Sequence, residues 1–161
     1  MRIFSTSVLL SGAILLSAPV FAKDPLRTIA DHARMVQSQA QEINLGLKKK
    51  TLSEDALKSK LMMTSESIEK LKGAVAQIEA SRSDLNALGR DWQLLKDKVQ
   101  LLAIFHERKS ELAGDFNRNR SMIRAHADGI AKRAAMLQET VSRLEKTWAA
   151  QTASASSGVS E

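Results

Sequence analysis

Cysteine and tyrosine are both absent from the 161-residue chain, and proline occurs only twice. Without cysteine there is no disulfide, no thiolate ligand for zinc, no c-type haem attachment and no lipid-modified N-terminal cysteine. Stability has to come from packing. Aromatic residues are few, and alternating runs of β-branched residues are missing, which argues against a sheet. Glycine-rich phosphate loops are also absent. What remains is dominated by Leu, Ala, Lys, Glu, Gln and Arg, the composition of long helices. The expected class is all-α.

Long apolar runs are equally scarce. The one that exists, Val8 to Leu16 behind Arg2, is interrupted only by Ser11 and Gly12. It falls short of the about 20 residues that a spanning helix needs. Pro19 and then Val20-Phe21-Ala22 follow it, which places small residues where a signal peptidase cleaves. Residues 1–22 are therefore expected to be a secretory signal, with the remainder exported, most simply to a periplasm. Beyond Arg2, 23 basic side chains face 18 acidic ones, mixed in sign along most of the chain.

Helical periodicity organises the rest. Asp24-Pro25 is a helix start, proline suiting the first helical position. Leu26, Ile29, Ala33, Val36, Ala40, Ile43 and Leu47 follow in steps of three and four, the stepping of a knobs-into-holes seam. Lys48-Lys49-Lys50 suits the negative end of that helix, and Thr51-Leu52-Ser53-Glu54 fits a capping box for the next. The second seam runs Leu57, Leu61, Thr64, Ile68, Leu71, Val75 and Ile78, then fails at Ser81-Arg82. It resumes rotated at Leu85, Leu88, Trp92, Leu95, Val99 and Leu102. Gly114-Asp115 punctuates again, before Phe116, Ile123, Ala127, Ile130, Ala134, Leu137, Val141, Leu144 and Trp148.

Two architectures fit: an antiparallel bundle of four helices with turns near 50, 83 and 115, or an elongated three-segment coiled coil whose middle helix covers about 60 residues, roughly 90 Å. The compact bundle is preferred. The domain is expected to span residues 23–150, and the Ser/Ala/Thr-rich tail 151–161 to be disordered.

Candidate chemistry is thin. The segment from His106 to Glu111 has Ser110 where a zinc-protease helix needs its second histidine. Di-iron bundles need glutamate three residues before histidine, but Ile29, Ala103 and Ile123 stand there. A tight turn near Phe116 would bring His106 and His126 to one level of a hairpin, a pair able to ligate haem iron or a transition metal. The plainer reading makes His106 a register-setting polar residue and His126 a solvated flank. The five methionines beyond the leader do not cluster on their seams, so packing rather than Cu(I) binding accounts for them. Arg118, Arg120, Arg124, Lys132 and Arg133 oppose only Asp128 between 117 and 133, a local +4. Arg118, Arg120 and Arg124 are the candidates for an anion or an anionic envelope surface, although they scatter around a single helical wheel. No aromatic residues interleave them for base stacking, which disfavours nucleic acid.

No serine, histidine and acid constellation or other catalytic motif emerges, and no cofactor is implied, so the chain is expected not to be an enzyme. The leading expectation is an exported helical protein acting by helix–helix contact, as an envelope scaffold, adaptor or self-associating coiled coil. In export, length, basicity and helical content it is similar to Skp-type periplasmic chaperones, a resemblance that would imply a holdase role. That family also carries β-strands flanking its hairpin, and no strand pattern exists here. A bundle sensing haem, a metal or a small molecule is the third expectation.

Overall fold

A computed structural model of the chain describes residues 25–81, 88–107 and 116–157. Among the described residues there are four helices and no strand: α1 (Pro25–Lys49), α2 (Glu54–Ser81), α3 (Gly89–Glu107) and α4 (Phe116–Ser157). Every described apolar position of the four predicted seams is buried except Trp148, which is half-buried.

Cross-helix contacts fix the topology. Lys60 on α2 pairs with Glu42 on α1 at 2.6 Å. Glu79 near the end of α2 accepts bonds from Trp92 and Lys96 at the start of α3, while Ser65, further back on α2, meets His106 at the end of α3. Lys98 reaches Thr140, and His106 lies beside His126, so α4 returns along α3. Gln138 bonds Gln37, and Arg124 bonds Asn44, which runs α4 antiparallel to α1. The molecule is the compact antiparallel bundle. A continuous middle helix is excluded, since α3 folds back on α2. The expected turns near 83 and 115, like the expected leader and the Asp24 cap, lie outside the described residues.

The most extensive pairing is α1 with α4. Ala33 and Ala40 on α1 and Ala127 and Ala134 on α4 are at most 2 % exposed. Small side chains at these seam positions let two backbones approach closely. The main core draws on all four helices, whereas a second cluster joins Ile43 and Leu47 of α1, Leu57 and Leu61 of α2, and Phe116, Ile123 and Ala127 of α4. That second cluster contains nothing from α3. With 42 residues, α4 is roughly 60 Å long, more than twice the 19-residue α3, so its first turns pack on α1 and α2 past the end of α3.

The turn between α1 and α2 differs from its sequence reading. Lys50 adopts φ 58°, its N–H donates to the Leu47 carbonyl, and the Thr51 N–H donates to that of Gly46. This is a Schellman closure with lysine in the left-handed position usually given to glycine. Thr51 is thereby used to end α1, and Ser53, not Thr51, caps α2 by accepting from the Ala56 N–H. The expected capping box does not form.

At the other end, α4 continues to Ser157 where disorder was expected from 151. Alanine's high propensity extends a helix already nucleated by packing, and Ser154 bonds back to the Ala150 carbonyl. Apolar periodicity marks where packing stops. It does not mark where the helix stops.

Replacing Lys50 by Gly should raise stability by about 1 kcal/mol, because glycine alone adopts a positive φ without Cβ strain; chemical denaturation measures it. Glu79 is held below the usual carboxylate range, first by its bond from Lys96 and then by that from Trp92. A carboxyl depressed by folding stabilises the native state above its unfolded value of about 4.3, and that contribution is lost as pH falls through the folded value. Glu79→Gln should therefore cost a few tenths to about 1 kcal/mol at neutral pH, as expected for an exposed pair. The gap from wild type should close as the medium is acidified below about pH 4.

Candidate functional site: a buried histidine pair and a basic end

Phe105 and His106 stand in the last turn of α3, and the seam that buries Leu95, Val99 and Leu102 carries His106 inward with them. On α4, His126 precedes the buried Ala127. The two imidazoles come together as the hairpin reading anticipated, with centroids 6.2 Å apart and planes 25° from parallel. Both are buried, so the solvated flank expected for His126 is not what forms.

Phe105 completes the cluster. Its ring stacks on His126 at 4.7 Å and 13°, and the Arg133 guanidinium lies 3.8 Å above it. Gly129 makes this possible, because a Cβ there would sit 2.7 Å from Phe105 Cζ. Sequence periodicity passed over Phe105 because it lies off the α3 seam. Its partner, a glycine within a basic helix, was the only signal available.

The chemistry open to the pair is restricted. Imidazoles that share a metal aim in-plane lone pairs at one point; these two rings instead stack, with centroids 6.2 Å apart. Among the described residues no third histidine, aspartate or glutamate completes a metal-binding group with them. Ser65 Oγ lies 2.9 Å from His106 Nε2, a contact with the outward form of a nucleophile and its base. The one Ser65 hydroxyl hydrogen has a competing acceptor, however, in the Leu61 carbonyl 3.1 Å away, and the tautomer of His106 decides which of the two it serves.

The three arginines take different positions. Arg124 Nε donates to Asn44 of α1 at 3.1 Å, Arg120 lies 4.9 Å over the buried Phe116 ring, and Arg118 is exposed. Lys132 forms an ion pair with Asp128, and Arg133 is drawn to Phe105 and the Gly129 carbonyl. The five cations of that segment thus divide, with only the first three on the first turns of α4.

No family model matches the chain, and comparison with curated proteins and with solved structures likewise gives no match.

Gly129→Val should displace Phe105 from between His126 and Arg133. A loss of about 1–3 kcal/mol is expected for overpacking a filled site, measured by denaturant midpoint. The ring-current shifts on the His126 side chain should vanish in the NMR spectrum.

Proposed function

We propose that this is an exported, non-enzymatic protein that works by helix–helix contact, receiving an amphipathic helix of a partner protein on the outer side of α3. The observation that carries the reading is a second apolar stripe on that helix. Leu94, Leu101 and Ile104 are 37 %, 59 % and 42 % exposed in the folded bundle. Steps of seven and three place them along one side of α3, the spacing with which a helix presents a and d residues to another helix.

Beside this stripe, α2 and α3 touch less than the other neighbouring pairs and leave an open groove of about 420 Å³. Val75, Val99 and Ala103 form its floor, and Lys72, Glu79, Lys96 and Glu107 its rim. Magnitudes explain why stripe and groove belong together. Fully burying one Leu or Ile yields about 1.5–3 kcal/mol, and these three are already partly covered. Their remaining gain of a few kcal/mol falls short of the roughly 4–15 kcal/mol that association costs. A partner that also fills the groove adds the missing area, and mixed charge on the rim selects its flanking residues.

The test is site-specific photo-crosslinking in the native envelope. A photoreactive residue at position 101 should trap a discrete partner, and one at Ser142, on the exposed side of α4, should not. A chain that sediments as a monomer and gives no adduct from position 101 would overturn the proposal.

A further inference from the structure

The antiparallel pairing of α1 and α4 brings together two basic segments that stand about 70 residues apart in the chain. The C-terminal turns of α1, from Ile43 to Lys50, contain three lysines and no acid. The N-terminal turns of α4, from Phe116 to Ala127, contain three arginines and again no acid. Arg124 bonds Asn44, and one turn further along each helix, in opposite chain directions, stand Arg120 and Lys48. Ile43 and Leu47 share a core cluster with Phe116 and Ile123, so this end is rigidly packed beneath its charges.

Lys48, Lys49, Lys50 and Arg118 are exposed. None of the three lysines, nor Arg120 or Arg124, forms an ion pair with a carboxylate among the described residues. Three described acids beside the two segments are engaged by other cations, Glu42 by Lys60, Glu54 by Lys58 and Asp128 by Lys132. These five like charges gathered on one end repel one another, a cost that an anionic partner relieves. Within the patch Leu45 is 50 % exposed, one turn before Lys49 on the same side of α1.

We infer that this basic end of the bundle docks on the surface of an anionic phospholipid bilayer. Spread over two helices and the tip of a turn, the cations match a plane of phosphates rather than one small anion. Leu45 supplies a side chain that can enter the interfacial region among them. Nucleic acid fits less well, because Phe116, the one aromatic of these turns, is buried beneath Arg120 and offers no face to a base. No helix of the described residues is long and apolar enough to cross a membrane, and the docking inferred here is peripheral. It uses a surface separate from the outer side of α3 and does not depend on the partner proposed there.

Co-sedimentation with vesicles tests it. The purified protein should pellet at low salt with vesicles of equal parts phosphatidylglycerol and phosphatidylcholine, not with phosphatidylcholine alone, and be released by about 0.5 M NaCl. The double variant Lys48→Glu/Lys49→Glu should lose at least about tenfold in apparent affinity, at a typical contribution per surface lysine. Arg143→Glu/Lys146→Glu makes the same change in net charge on an exposed part of α4 far from the patch, and should alter binding less than about twofold. All four side chains are exposed, so circular dichroism should show the fold intact in both variants. Three results would overturn the inference: no binding by wild type, equal losses in the two variants, or binding to a duplex oligonucleotide through Lys48 and Lys49 without binding to vesicles.

Discussion

The close packing of α1 on α4 is the constraint on which the rest of the bundle depends. Alanines at seam positions on both helices allow the approach, and larger neighbours such as Ile29, Val36, Leu137 and Val141 fill in around them at full burial. A seam filled in this way tolerates little change, because interiors pack as densely as organic crystals. Once α1 and α4 are joined, each further helix has one remaining place. α2 is held to α1 by a four-residue turn and by Lys60 with Glu42. α3 lies diagonal to α1, between α2 and α4.

Polar groups inside the bundle set register at little cost because they bond locally. Thr64 and Thr140 return their hydroxyls to the carbonyls four residues earlier, and Thr140 also accepts from Lys98. Back-bonding satisfies the donor without needing a cross-helix partner. Where polar groups do cross helices, as with Ser65 and His106 or Gln37 and Gln138, each contact fixes one axial position. The histidine pair belongs to this class: with Phe105, Gly129 and Arg133 it locks the end of α3 onto α4. That lock matters because α3 has the weakest contacts with α2 and needs a defined position on the helix that carries it.

The helices and their buried faces were legible in the sequence because a seam in steps of three and four is local information, read one turn at a time. Even the meeting of His106 and His126 followed from symmetry about a turn near Phe116. Several features were not legible, and each has a non-local or competitive cause. Thr51 and Ser53 are both good caps, and only the bond from Thr51 to Gly46 decides between them. The Phe105 seat requires knowing that Gly129 lies opposite it. The basic end was legible only in part, since Arg118, Arg120 and Arg124 stood out as candidates for an anionic surface but scatter on a wheel drawn for α4 alone. Their companions Lys48, Lys49 and Lys50 read only as a complement to the dipole of α1.

The unequal lengths of α3 and α4 connect these observations. Because α3 ends at Glu107, just past His106, the first turns of α4 pack among the described residues on α1 and α2, and this end gathers Lys48, Lys49, Lys50, Arg120 and Arg124. Beside α3 the bundle is instead complete but loosely closed toward α2, and the uncovered residues there are leucine and isoleucine rather than arginine and lysine. One short helix thereby divides the surface into an apolar side and a basic end. The two surfaces offer different forces, the first area that can be removed from water and the second screened charge. Salt should therefore weaken contacts at the basic end while leaving the apolar side largely unaffected, so the two surfaces can be engaged independently by one rigid molecule.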